Sequence, residues 1–267
     1  MKSRIRKTVE ATWTAIKIVG AGVSPISLSL IHSPKAMVHY CSECLFTYKA
    51  LTGSKRLQEK SVFEILRRDG VIPVLLGNLH ADGVWFRREA SYTVDLIQLC
   101  IICQLVQPMT VFEIGTLSGY STYEMALNAP DAALIYSLDL PRGTGPKLRT
   151  TVIDDNIIDT HEQERVYAFS NTPMAKKIRL LYGDSAEFDF SSFYGSVDLF
   201  FIDGAHSYEY VRSDTANALK CCHPGSVIAW HDFGRSGVNG VSRYLLDLSQ
   251  QRPVYSVPGG SLAFTVV

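Results

Sequence analysis

The sequence predicts an α/β fold: a mostly parallel sheet covered by helices on both faces, preceded by an N-terminal helical region. Three observations predict it. Beyond Pro108, short apolar runs alternate with helix-length patterns, which is how βαβ units read. The first of these runs ends in an acidic residue and a glycine turn that leads into a helical pattern. At the other end, Pro258-Gly-Gly-Ser261 separates two short apolar stretches, so a hairpin closes the chain with an antiparallel strand.

The elements follow in order. Lys2, Arg4, Arg6 and Lys7 precede an apolar stretch from Ile18 to Ile31. Glu10 and Lys17 interrupt the approach to it and Pro25 lies inside it, unlike a secretory signal. It is short for a membrane span, which needs about 20 residues. A buried or dimer-forming helix pair is the first reading; a helix lying on an anionic membrane surface and true insertion stay open. Residues 1–108 read as mostly helical, broken at Gly70, Gly77, Asp82 and Gly83, and Tyr92–Val106 makes the last helix. Thr110–Gly115, Ala133–Asp139, Ile178–Tyr182, Val197–Asp203 and Ser226–Trp230 then read as strands. Tyr120–Asn128, Val211–Cys222 and Val241–Gln250 read as helices, and Pro253–Val257 with Leu262–Val267 as the hairpin. Pro141–Lys177 is a long polar insert; with Tyr167 and Phe169 it is a candidate lid, because long segments between elements are often functional.

Composition excludes several classes. Among 267 residues, 26 basic and 26 acidic side chains cancel, so no global positive field exists to steer nucleic acid. Hydrophobic residues make up 46%, too many for a disordered chain. Six cysteines are too few for a disulfide scaffold. Cys41-Ser-Glu-Cys44 and Cys100-Ile-Ile-Cys103 could hold zinc in principle, but the second pair lies in a helix that reads as buried. Reduced core cysteines, Cys221 and Cys222 among them, are the expectation. They suit a cytoplasmic location, with membrane association through the N-terminus as the open alternative.

The strongest local signal is Val111-Phe-Glu-Ile-Gly115-Thr-Leu-Ser-Gly119-Tyr-Ser-Thr. Glycine permits a tight turn and close backbone approach, and the helix that follows presents free N–H groups. Leu117 and Tyr120 occupy positions where a dinucleotide fingerprint needs glycine, and no Gly-Lys-Ser/Thr follows, so neither a pyrophosphate site nor a P-loop is present. Asp139 ends the second strand, where a carboxylate accepts from ribose hydroxyls. Gly183-Asp184-Ser185 follows the third strand, and an acid there can accept from an exocyclic adenine amine. Together the three strand ends point to an adenosyl-binding surface.

These residues carry a family resemblance. Glu113-Ile-Gly115-Thr-Leu-Ser-Gly119-Tyr-Ser resembles the first motif of class I S-adenosylmethionine-dependent methyltransferases. The branch it is most similar to holds catechol-type and macrocin-type small-molecule O-methyltransferases. Leu199-Phe-Phe-Ile-Asp203-Gly-Ala-His206-Ser-Tyr-Glu-Tyr-Val-Arg-Ser-Asp214 resembles that branch's fourth-strand motif, and Pro224-Gly225-Ser-Val-Ile-Ala-Trp-His231-Asp232 its fifth. The resemblance covers residues 109–267 and implies a Rossmann-like seven-stranded sheet with an antiparallel last strand; the apolar segment 1–56 and the helical cap 57–108 are read from the residue pattern alone. It implies that Glu113, Gly115 and Gly119 line the methionine part of the donor, in a turn that includes Thr116, Ser118 and Ser121. Asp139 would hold the ribose, Asp184 and Ser185 the adenine, and Asp203 would border the donor.

Methyl transfer to oxygen is an in-line displacement that needs positioning and removal of a proton. Asp203 and Asp232 end adjacent parallel strands, so their carboxylates can meet at one edge of the sheet. His206 and His231 are the candidate bases, and Asp203, His231 and Asp232 the candidate ligands of a divalent metal. The resembling metal-dependent enzymes carry two acids, or an acid and an amide, where this chain has His231-Asp232. Magnesium and a transition metal both stay open. The expected activity is methylation of a small-molecule hydroxyl. The rivals are a non-catalytic binding or scaffold protein and a metal-assisted enzyme of another reaction type.

Overall fold

The structure is a computed structural model that describes residues 56–66, 90–151, 153–155, 158, 166–235 and 237–267. The apolar run Ile18–Ile31, Cys41, Cys44 and the breaks at Gly70–Gly83 lie outside the described residues. β1 (Gln58–Glu59) and the short helix α1 (Val62–Leu66) precede α2 (Ala90–Val106). The crossover units follow as β2 (Thr110–Ile114), α3 (Tyr120–Asn128), β3 (Leu134–Asp139), β4 (Ile178–Tyr182), β5 (Val197–Ile202), α4 (Tyr208–Cys221), β6 (Cys222–Trp230) and α5 (Asn239–Leu248). The hairpin β7 (Tyr255–Ser256) and β8 (Ala263–Val266) closes the chain.

The strands form one sheet in the order β1-β7-β8-β6-β5-β2-β3-β4. β4, β3, β2, β5 and β6 are parallel. β8 runs antiparallel between β6 and β7, as the closing hairpin predicts. The sheet has one strand beyond the seven expected: Gln58–Glu59 adds to the edge beside Tyr255–Ser256, a pairing too short to leave a periodic signal in the sequence.

Alternation along the strands divides the core into two layers. Val111, Leu199 and Val227 face one layer with Leu99 and Ile102 of α2 and Met125 of α3. Phe112, Phe200 and Ile228 face the other with Val211 of α4 and Leu245 of α5. Each central strand is therefore apolar on both faces, which is why it reads as a continuous run. Cys100, Cys103, Cys221 and Cys222 are buried free thiols, and burial pushes the thiols up, Cys221 to about 12. Among the described residues, no helix is long and apolar enough to cross a membrane.

Candidate active site

Backbone hydrogen bonds bring the C-terminal ends of the parallel strands to one level. Gly115 N donates to Leu138 O, Gly183 N to Asp139 O, Asp203 N to Ile114 O and His231 N to Ile202 O. Gly115, Asp139, Asp203 and His231 thus emerge side by side from β2, β3, β5 and β6, where ligands of open α/β sheets bind.

The glycine turn is built against protein atoms. Gly115 has φ +97°, and a Cβ there would meet the Asp203 carbonyl oxygen at 2.1 Å. Gly119, at φ +77°, would place a Cβ 2.6 Å from the Phe169 ring, which stacks on Tyr167 with centroids 5.2 Å apart. Both glycines are required by backbone conformation and by close packing. Glu113 is fully buried and accepts from Ser121 Oγ (2.5 Å), Thr122 Oγ1 (2.5 Å) and Ser137 Oγ (2.5 Å). Ser137 in turn pairs with Thr116 Oγ1 at 2.6 Å. These hydroxyls tie the start of α3 to β2 and β3 and fix the turn. Ser118 is the exposed member, and its carbonyl accepts from Ala168 N of the insert.

Asp139 is half-buried at the end of β3, and its Oδ1 accepts from Leu140 N at 3.1 Å. Asp184 Oδ1 accepts from Ala186 N (2.8 Å), and its Oδ2 from Lys147 N (2.7 Å) and Tyr210 Oη (2.7 Å). It therefore pins the insert to α4, in addition to any ligand contact. Ser185 is buried beside it.

Asp203, His206, His231 and Asp232 converge. His206 Nε2 lies 2.8 Å from Asp232 Oδ2, and His231 Nδ1 lies 3.1 Å from Asp203 Oδ1 and 3.2 Å from Asp232 Oδ1. Consecutive residues of a strand point to opposite faces, yet His231 and Asp232 enter one cluster. The reason is Asp232's φ of +65°, a left-handed conformation just past the end of β6. Such a residue costs roughly 1–2 kcal/mol unless glycine, and strain of this kind gathers at functional sites. Arg235 Nη1 holds Asp232 Oδ1 at 2.7 Å.

Residues 112–233 match a family model described as a methyltransferase domain. The match covers just under half of the chain and makes that stretch similar to such a domain. No curated protein matches the chain. Among solved structures it is similar to the O-methyltransferase TomG from Streptomyces achromogenes, involved in tomaymycin synthesis and in complex with SAM. Identity is 18% over 67% of this chain and 81% of that one, with a TM-score of 0.48. It is also similar to an O-methyltransferase from Bacillus cereus in complex with SAH, at 20% identity over 68% and 84% of the two chains and a TM-score of 0.46. Likenesses this distant speak to neither acceptor nor mechanism.

The electrostatics of the cluster follow from its pairings. Burial opposes charge on His206, but hydrogen bonds to Asp154 and Asp232 outweigh it and hold the imidazole up at about 10. Burial likewise opposes charge on His231, and Asp203, Asp232 and Asp95 raise it well above the usual histidine range. The two rings hold Asp232 well below the ordinary carboxylate range despite its burial. With no cation bound, these pairings favour the imidazolium form of both rings. Asp203, His206 and Asp232 each offer one ligand atom, and these atoms lie within 4.8 Å of one another, so the set could hold a divalent cation with His206 deprotonated. Two carboxylates and an imidazole suit a transition metal such as Mn2+ or Fe2+ better than Mg2+. His231 lies behind this group, with Nε2 3.2 Å from Asp95.

Two residues that sequence reasoning missed border the cluster. Asp95, buried on α2, accepts from Ser261 N (2.7 Å), Ser261 Oγ (2.7 Å) and Leu262 N (3.0 Å) while facing His231. A lone carboxylate in the apolar run Val94-Asp-Leu-Ile-Gln-Leu was its one sequence signal. Asp154, from the insert, pairs with His206 Nδ1 at 2.5 Å. Nothing in its neighbourhood distinguishes it from a surface acid.

Proposed function

We propose that the chain transfers the methyl group of S-adenosylmethionine to a hydroxyl of a small molecule. The observation that carries this reading is the meeting of Asp203, His206, His231 and Asp232 beside the Gly115 turn, at the ligand-binding edge of the sheet. With Asp95 and Asp154, four carboxylates face two imidazolium rings and one guanidinium, an excess of one acid. Such a cluster favours a cationic ligand.

Donor binding falls to the Gly115–Ser121 turn, with Asp139 for the ribose and the Asp184–Ser185 pair for the adenine. Asp203 is the most exposed acid of the ligand group, its side chain 18% accessible against 8% for Asp232. An acceptor hydroxyl donating to Asp203 has a lone pair left to attack the methyl carbon. As the O–C bond forms and the C–S bond breaks, the proton passes to the carboxylate, giving a methyl ether and S-adenosylhomocysteine. His206 and His231 already hold their protons, so they orient Asp232 and Asp203 by donating to them. A divalent cation would be held by Asp203, Asp232 and His206, the last giving up its Nε2 proton, and would lower the hydroxyl pKa. The buried thiols suit a reducing, cytoplasmic setting.

The test uses methyl-labelled S-adenosylmethionine and a panel of catechols, sugars and hydroxylated lipids. We expect label on the oxygen of one acceptor class, a loss of at least about 100-fold in kcat for Asp203→Asn, and inhibition by chelator that Mn2+ reverses. Donor binding with no transfer to any acceptor would favour a non-catalytic binding protein; transfer indifferent to chelator would remove the cation.

A further inference from the structure

The insert between β3 and β4 is seated on the site at two points. Lys147 N donates to Asp184 Oδ2 and Tyr210 Oη, and Leu148 N to Tyr210 Oη. Further along, Asp154 aims a buried carboxylate at His206. Thr151 N donates to Asp154 Oδ2 at 2.8 Å and Asp154 N to Thr151 Oγ1 at 3.1 Å, a reciprocal cap that fixes the acid before it meets any partner. That acid accepts from the backbone N–H of His206 at 3.2 Å and pairs with its ring Nδ1 at 2.5 Å, across 52 residues of sequence. The opposite ring nitrogen meets Asp232.

We propose that Asp154 is the positioning residue for His206: by holding Nδ1 and the backbone N–H together, it keeps Nε2 directed at Asp232. The proposal rests on the reading of this edge as the methyl-transfer site, and it assigns the insert a task in ordering that site. An imidazole can rotate about its Cβ–Cγ bond and exchange its two nitrogens. The hydrogen bond made by one nitrogen decides what the other presents. Asp154 makes that bond and is itself capped, so the ring orientation depends on the insert being docked. The carboxylate is 4% exposed and half of an ion pair, so its removal leaves the imidazolium facing Asp232 alone.

The experiment records long-range 1H–15N spectra of the full chain labelled at histidine nitrogens, with His206→Gln assigning the His206 signals. Variants are Asp154→Ala, Asp154→Asn and Thr151→Ala, and S-adenosylhomocysteine binding is measured for each. Thr151→Ala removes Oγ1 but keeps the carboxylate and the Thr151 N–H bond to it, so the His206 ring signals should move less than in either Asp154 variant. Both Asp154 variants should shift the Nδ1 signal and exchange-broaden or shift Nε2, with S-adenosylhomocysteine affinity within about threefold of the parent. His206 signals unchanged in both Asp154 variants would overturn the proposal. So would equal changes in Thr151→Ala, which would mark Asp154 as a pin for the insert alone. A parent chain that does not bind S-adenosylhomocysteine would count against the methyl-transfer reading, while the ring signals would still decide the role of Asp154.

Discussion

Burial pushes the Asp214 carboxyl up to about 7, with Asp184 nearby adding to the effect and the Ser185 hydroxyl opposing it. Glu113 is likewise raised to about 7 by burial, against the pull of Ser121, Ser137 and Thr122. A group whose folded pKa exceeds its unfolded one binds more protons folded than unfolded. Its contribution is complete below the unfolded pKa and is lost as pH rises through the folded one. Asp214 and Glu113 therefore lower stability between about pH 4 and pH 7. Asp232 and Asp154 have the opposite sign, since their pKa values are depressed by their histidines and their contribution is lost only in acid. We predict a melting temperature that falls from pH 5 to pH 8. In Asp214→Asn this fall should shrink by several degrees, equivalent to about 2 kcal/mol. Thermal unfolding at the two pH values checks it; an identical fall in the variant would contradict it.

At the scale of elements, α2 and the β7–β8 hairpin share an apolar core and are tied by one buried carboxylate. Asp95 takes three donors from Ser261 and Leu262 and faces His231, so it links the helix, the hairpin turn and the end of β6. Gly260 has no room for a Cβ, which would stand 2.0 Å from Asp95 Oδ1. Asp95→Ala would leave those donors and an imidazolium without their acceptor. We expect a loss of about 3–5 kcal/mol by denaturant unfolding, and a smaller loss for Asp95→Asn. Elements of this kind divide what the sequence made legible from what it hid. Strands buried on both faces, such as Thr110–Ile114 and Val197–Ile202, announce themselves as apolar runs, and the acids at their ends follow from strand order. Asp203, His206, His231 and Asp232 were legible for that reason. Asp95 and Asp154 were not, because each reaches the cluster from a segment whose local pattern says nothing about its destination. The packing role of Gly119 was hidden too: it depends on Phe169, some 50 residues away and on the insert.

At the scale of the whole molecule, five parallel strands end at one level, and each end contributes to a single edge. Their hydrogen-bonded neighbours fix that level: Asp203 rises beside Gly115, and His231 beside Asp203. The insert returns across the same edge, through Lys147 and Asp154, and the α2–hairpin link reaches it from the other side. On the proposed function, a site assembled from so many segments would place its donor by the geometry of the sheet. The most direct measurement is calorimetric titration of S-adenosylhomocysteine into the intact chain and into Asp139→Ala, with NAD as the control. The account predicts heat of binding for S-adenosylhomocysteine, at least tenfold weaker affinity in Asp139→Ala, and no heat with NAD. Absence of binding to the intact chain, or equal affinity in the variant, would contradict it.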